Sequence, residues 1–339
     1  MKTLTLILTL ILAQQASACF DDVEVKALIE ASQKLDECFK DGNDCNYENR
    51  DLEKQRVINS RRLIPVDRSK SPLLNIGTGK IEADLQIKDD KGNNQKYSAT
   101  AERISRCHII TSAHLLYQGV DVSTERVNFD MKFKSGQTCD MNKHFEKSAP
   151  ATLVFKMTDE RRGDFKFGKD ENGKVVRIFN PHNDLVIIKL NNKADYANKF
   201  FKLNTMNPAD RTSKLRVNCW GYPGHNEYLK LSKEKSDMFL WHQTGALISN
   251  ENTERGILTN AQAYNGMSGG GCSTSEKSDE LVGLYSDGNR TRAQSTISID
   301  ANRTAEQGTN KLSGFHRLAE RFAEANGGRS LESLDADCN

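Results

Sequence analysis

Two textures divide this chain. Up to residue 62 the apolar residues Val23, Ala27, Ile29, Ala31, Leu35 and Phe39 keep a loose helical spacing among many charges, with no strand-like alternation. From Leu63 the spacing becomes that of strands. Leu85 and Ile87, then the polar run 89–94, then Tyr97 and Ala99 predict two strands around a turn. Ile109-Ile110-Thr111 is a β-branched run suited to a buried strand. Phe165-Lys166-Phe167 and Val175-Val176-Arg177-Ile178 flank Asn172-Gly173, a hairpin turn signal. The acidic loop before that turn lacks the spacing of an EF-hand and reads as solvated. Leu185 to Leu190 is nearly continuous apolar sequence, and Val217 to Trp220, Gly245 to Ile248, Gly256 to Thr259 and Leu281 to Leu284 are further short strands. Phe315, Leu318, Phe322 and Ala325 return to helical spacing, and Gly327-Gly328 ends that helix.

The N-terminus reads Met1-Lys2, an apolar run from Leu4 to Ala13, then Ala16-Ser17-Ala18, the pattern of a secretory signal peptide cut after Ala18. That run is too short to span a bilayer, and no later stretch is long enough. Cys19 follows the cut, which raises a lipid anchor on that cysteine. Ala16, however, stands where lipoprotein signals usually carry leucine. All eight cysteines (Cys19, Cys38, Cys45, Cys107, Cys139, Cys219, Cys272 and Cys338) follow the cut. An even set in an exported chain favours disulfides, and lipidation would leave seven, so soluble secretion is the reading adopted. Residues 19–62 read as a short helical pro-segment ending at Arg61-Arg62, where an activating protease would cut after Arg62. An ordinary linker with two solvated arginines is the alternative. With 48 Lys and Arg against 46 Asp and Glu, and no basic block interleaved with aromatics, a dedicated nucleic-acid binder is excluded. A length of 339 residues accommodates two modest cores.

The chemistry concentrates in Tyr264-Asn265-Gly266-Met267-Ser268-Gly269-Gly270-Gly271-Cys272. Glycines before and after a serine favour a tight turn that exposes the hydroxyl and aims the N–H groups of Gly266 and Ser268 at one point. Two convergent donors hold the oxyanion of a tetrahedral acyl-transfer intermediate. A serine hydroxyl also needs a base. His114 sits where the Ile109-Ile110-Thr111 strand ends, and Asp184 stands immediately before Leu185 to Leu190, where an acid reaches an imidazole while shielded from water. The remaining histidines have no metal-ligand spacing, so no metal or other cofactor is expected.

Four blocks carry a family resemblance in order: Thr111-Ser112-Ala113-His114; Asn183-Asp184 with the following apolar strand; Gly266-Met267-Ser268-Gly269-Gly270; and Leu281-Val282-Gly283-Leu284-Tyr285-Ser286. Histidine, then acid, then serine is the chymotrypsin order. The chain resembles the chymotrypsin-fold, trypsin-like serine peptidases, nearest their bacterial glutamyl-endopeptidase branch. Trp220-Gly221-Tyr222-Pro223-Gly224 resembles a turn of that branch, and Leu63-Ile64-Pro65 its mature N-terminus.

The resemblance covers residues 63–327. It implies an all-β fold of two six-stranded antiparallel β-barrels, the first about 63–200 and the second about 213–312, then a C-terminal helix at 313–327; the pro-segment and a tail at 328–339 fall outside it. It implies a secreted endopeptidase acting on protein or peptide substrates through a His114, Asp184 and Ser268 triad and an acyl-enzyme. Gly266 and Ser268 would form the oxyanion hole, and Ser286 would support Asp184. A catalytically silent secreted binding protein of the same fold is the alternative. Met267 stands where trypsin-like zymogens carry an aspartate that pairs with the new N-terminus. Gln262 stands at the position that selects Lys or Arg in trypsins, and Tyr285 where glutamyl endopeptidases use histidine. Gln262, Ala263 and Tyr285 therefore imply an uncharged primary pocket. The family often bridges places like Cys219 and Cys272, and Cys107 with Cys139 is the pairing expected in the first barrel. Cys19, Cys38, Cys45 and Cys338 then have three connectivities, one of which ties Cys19 to Cys338.

Overall fold

The computed structural model describes residues 64–66, 71–88, 94–117, 130–137, 145–158, 162–169, 175–207, 215–223, 239–248, 257–259, 266–274, 279–288 and 310–339, with single positions at 92, 173, 210, 261 and 263. The expected signal peptide and pro-segment, Cys19, Cys38, Cys45, Cys139 and Gln262 lie outside the described residues.

A closed six-stranded antiparallel barrel forms the first half. Its strands are β2 (Thr78–Lys88), β3 (Asn94–Arg103), β4 (His108–Thr111), β5 (Asp130–Gln137), β6 (Phe145–Lys156) and β9 (Val186–Leu190). They run in the cyclic order β2-β3-β4-β9-β6-β5. Alternation sets the faces. Ile81 and Ala83 of β2 point into the barrel with Ala99, Ala101, Phe133 and Ile188. Glu82 of β2 instead reaches outward to Lys134 of β5 at 2.7 Å. Between β6 and β9 lie β7 (Phe165–Lys169) and β8 (Val175–Phe179), which pair only with each other among the described strands.

The second half is a sheet in which β12 (Trp241–Ile248), β11 (Leu215–Gly221), β14 (Gly271–Thr274), β15 (Glu280–Gly288), β16 (Asn310–Ser313) and β13 (Ile257–Thr259) follow one another. Ile248 of β12 pairs with Thr259 of β13, which returns the path to its start, so these six strands also form a ring. Two short strands join its sides. β1 (Ile64–Pro65) pairs antiparallel with β12, and β10 (Lys202–Leu203) runs parallel to β15. The start of the described chain is thus held by the second ring, and Val66 N–H continues the hold by donating to Leu240 O at 2.8 Å.

Three buried clusters explain why some strands alternate and others do not. One fills the first barrel and one the second ring. The third lies between them and includes Ile110, Leu185, Ile187, Trp220, Leu240 and Leu284. Ile109 belongs to the first cluster and Ile110 to the third, as do Ile188 and Ile187 respectively. β4 and β9 are therefore covered on both faces, and their sequences read as unbroken apolar runs.

Short helix α1 (Pro72–Gly77) precedes β2, and α2 (Leu318–Ala325) buries Leu318 and Phe322 in the third cluster. Gly327 and Gly328 then adopt φ of 65° and 84°, which turns the chain back and lays a short helical segment, Leu331–Cys338, on the first barrel. There Cys338 bonds to Cys107. The expected Cys107–Cys139 pairing is thereby corrected, and the Cys19–Cys338 option with it. Polar contacts help hold the tail at this place. The Asp335 carboxylate accepts from Arg106 Nε at 3.0 Å, and the carbonyl of Asp337 accepts from Lys189 Nζ at 2.7 Å. Cys219 and Cys272, directly paired on β11 and β14, form the other disulfide among the described residues.

Peptide mapping of the unreduced protein is expected to recover Cys107 linked to Cys338, and recovery of Cys107 linked to Cys139 would contradict the tail docking. Because that bond closes a loop with a sequence separation of 231, Cys338→Ser should lower stability by about 2–5 kcal/mol in urea unfolding.

Candidate active site

Strand β4 ends at Thr111, and the short turn Ala113–Tyr117 that follows carries His114. The turn Pro181–Asn183 delivers Asp184 just before β9. These two segments join directly. Ala113 N–H donates to Asp184 O at 3.2 Å, His114 N–H to Asp184 Oδ1 at 2.7 Å, and His114 Nδ1 meets Asp184 Oδ2 at 2.6 Å. Ser286 of β15 adds its hydroxyl to Oδ2 at 2.5 Å. The Asp184 side chain is 1% exposed and that of His114 is 14% exposed. A carboxylate only accepts, so the bond at Nδ1 requires the proton there and leaves Nε2 of neutral His114 as a base. Phe179, at the end of β8, flanks the imidazole with ring centroids 6.2 Å apart.

The turn that carries Asp184 is itself braced. Thr158 Oγ1 donates to Asn183 O at 2.7 Å, Ser313 Oγ donates to Pro181 O, and Asn183 Nδ2 donates to Asp164 Oδ1. Asp164 is in turn held by Arg321 of α2, at 2.7 Å, with both side chains largely buried. The C-terminal helix thus steadies the acid through Asp164 and Asn183.

Ser268 lies on the loop between β13 and β14. Gly269 N–H donates to Tyr285 O at 2.7 Å, Gly270 N–H to Met267 O at 2.8 Å, and Tyr285 N–H to Gly270 O at 2.8 Å. Strand β3 grips the same loop from the first barrel. Thr100 N–H donates to Ser268 O at 2.8 Å, and Thr100 Oγ1 to Gly266 O at 3.1 Å. At Gly269, φ is 80° and a β-carbon would collide with Thr100 O and Thr111 Oγ1. Only glycine allows that approach. Among the described residues, neither Gly266 N–H nor Ser268 N–H donates to a protein acceptor.

One carbonyl ties the three segments together. Tyr285 O accepts from Gly269 N–H, next to Ser268, and from Ser112 Oγ, two residues before His114, at 2.7 Å. Ser286, the next residue along, holds Asp184. The loop of Ser268 and the His114–Asp184 pair therefore share one junction between the two halves of the molecule.

Met267 is fully buried in the core of the second ring. Ala263 packs half-buried against that core, and the Tyr285 side chain lies within it. Thr100, Arg321 and Asp164 were not singled out from the sequence. Thr100 sits in an ordinary strand, and the Arg321–Asp164 pair joins positions 157 residues apart. Ser112 carried a signal only as part of the block around His114.

Among the described residues, Cys107, His108 and Cys338 are the only group spaced to hold a metal ion. Both sulfurs are spent in the disulfide, and His108 Nδ1 lies 2.9 Å from Ser105 Oγ.

No protein-family model and no curated protein matches the sequence. Solved structures do align. A Glu endopeptidase is 14% identical with a TM-score of 0.46, the alignment covering 78% of this chain and 96% of that one. The active form of the Rv3671c protease from M. tuberculosis is 13% identical with a TM-score of 0.41, covering 76% and 86%. The protease Anisep from Arthrobacter nicotinovorans is 15% identical with a TM-score of 0.41, covering 63% and 84%. The architecture itself stands on the strand pairings of this chain.

Ser286→Ala removes one donor from a buried carboxylate. It is expected to lower stability at neutral pH by about 1.5–3 kcal/mol in denaturant unfolding, and an unchanged midpoint would show that Asp184 does not depend on this bond.

Proposed function

We propose that this chain is a secreted serine endopeptidase in which His114, Asp184 and Ser268 form the triad. The observation that carries the reading is the His114–Asp184–Ser286 network meeting the Ser268 loop at the Tyr285 carbonyl. His114 Nε2 takes the hydroxyl proton as Ser268 Oγ attacks a peptide carbonyl carbon. The N–H groups of Gly266 and Ser268 hold the oxyanion, and losing one such donor typically costs about 2.7–4 kcal/mol of barrier. The C–N bond breaks as His114 hands the proton to the leaving amine. Water then attacks the Ser268 ester, its proton passing through His114 back to Oγ. Asp184 fixes the imidazole tautomer and stabilises its cation throughout.

Export through the leader at residues 1–18 and removal of residues 19–62 by a protease cutting after Arg62 complete the reading. A chain beginning at Leu63 keeps β1, which pairs with β12 from Ile64 onward. Met267 offers no carboxylate to a new amino terminus, so maturation works without that ion pair. By the family resemblance, Gln262, Ala263 and Tyr285 stand at primary-pocket positions and none carries a charge, which favours an apolar or uncharged polar side chain before the scissile bond.

Digestion of a denatured protein substrate tests this. The mature wild-type chain should cleave it, Ser268→Ala and His114→Ala should not, and Asp184→Asn should lose about 10⁴ in kcat. A folded chain cut near Arg62 that cleaves no substrate would favour a silent binding protein instead.

A further inference from the structure

Glu102 of β3 is a charged residue type with no exposure at all. Its strand neighbours Ala101 and Arg103 turn into the first barrel, Arg103 over the ring of Phe133. Thr100 and Glu102, two apart, share the opposite face and point at the second ring. Thr100 holds the Ser268 loop at Gly266 and Ser268. Glu102 holds its far end, because Oε1 accepts from Gly271 N–H at 2.9 Å and from Trp220 Nε1 at 3.0 Å. Among the described residues, its other oxygen, Oε2, is met only by the Thr78 hydroxyl, at 2.6 Å. Trp220 Nε1 also reaches Thr78 Oγ1, at 3.0 Å.

This arrangement accepts a proton without moving a heavy atom. Both N–H donors point at Oε1, and the group facing Oε2 is a hydroxyl, which can either donate or accept. A protonated Oε2 donates to Thr78 Oγ1, and Oε1 keeps both of its bonds. Burial pushes the Glu102 carboxyl up to about 8, against the opposing pull of its bonds from Thr78, Trp220 and Gly271. Thr78 of β2, Ile110 of β4, Trp220 of β11 and Gly271 of β14 surround it. Among the described residues no cation pairs with it. Tyr222 is the titratable group facing it, and burial first, then Glu102, push that phenol above its ordinary range, so it stays neutral.

Resting on the serine endopeptidase reading, we propose that Glu102 is a positioning residue for Ser268: its protonated carboxyl fixes the exit of the loop at Gly271, and its ionisation switches acylation off. The ionised form places an unpaired negative charge at the loop's support. That charge opposes the second negative charge that develops on the substrate oxygen held by Gly266 and Ser268. Stability moves in the same sense. The folded chain binds more protons at Glu102 than the unfolded chain between its ordinary value of 4.5 and about 8. Stability therefore falls as pH rises through that window.

The test is the rate of fluorophosphonate labelling of the mature chain between pH 6 and 10, for wild type, Glu102→Gln and Glu102→Leu. Gln keeps an acceptor for Gly271 and Trp220 and a donor for Thr78, so it imitates the protonated carboxyl. Leu removes both functions. Wild type should lose labelling on the alkaline side with a midpoint near 8, and Glu102→Gln should not. Glu102→Leu should label at least tenfold more slowly at every pH, a loss that Gln largely restores. Identical alkaline profiles for wild type and Glu102→Gln, or wild-type labelling of folded Glu102→Leu, would overturn the proposal.

A second readout needs no catalysis. In ¹⁵N-labelled Ser268→Ala protein, the Trp220 indole signal should shift with a midpoint near 8, and the shift should vanish with Glu102→Gln added. Absent labelling of wild type with that shift present would sink the peptidase reading while leaving the Glu102 contact standing. A flat indole signal would sink the Glu102 proposal by itself.

Discussion

A carboxylate removed from water is tolerated only where donors replace the water it has lost. Asp184 receives three: the His114 backbone and ring from the first barrel, and the Ser286 hydroxyl from the second ring. Neither half supplies the full set, so a half-docked molecule that has shed water from this acid without completing its donors is destabilised. The docking of the two halves and the orientation of the His114 ring are one constraint. Breaking a buried charged network by removing a partner typically costs about 3–5 kcal/mol, comparable to much of a domain's net stability.

The same seam organises the Ser268 loop. Thr100 holds the loop's carbonyls, Tyr285 closes its inner turn, and Glu102 takes its last N–H. Glycine at 269 is what lets β3 and β4 come close enough to do this. On the proposed reading, a loop gripped from both sides would keep the Gly266 and Ser268 N–H groups fixed, and oxyanion donors of that kind need no reorganisation as charge develops. The C-terminal segments act from outside the seam. Arg321 steadies the turn before Asp184 through Asp164, and the disulfide to Cys338 pins the tail beside the start of β4.

Much of this was legible in the residues. The runs around Ile109 and Ile187 read as buried strands, which the structure covers on both faces, and His114, Asp184 and Ser268 stand beside distinctive local sequence. The terminal helix was readable from the spacing of Phe315, Leu318 and Phe322, whereas the closed first barrel was expected only from the family resemblance. Glu102 was not legible, because a charge in an alternating strand reads as a solvated face until a second ring is seen to cover it. Thr100 was hidden for the same reason. The Cys107–Cys338 bond was missed because connectivity is not encoded in spacing, and the Gly327-Gly328 reversal that returns the tail looks in sequence like the end of a helix. Gln262, on which the pocket reading leans most, lies outside the described residues.

The most direct measurement is an acyl-enzyme burst. The mature chain, mixed with an activated ester and quenched in acid, would be weighed intact and then mapped by peptide mass. An activated Ser268 predicts one acyl group per molecule, released-alcohol burst of the same stoichiometry, and the adduct on the peptide containing Ser268. A folded chain with no burst, or an acyl group on any other residue, would contradict the claim that this loop carries the nucleophile.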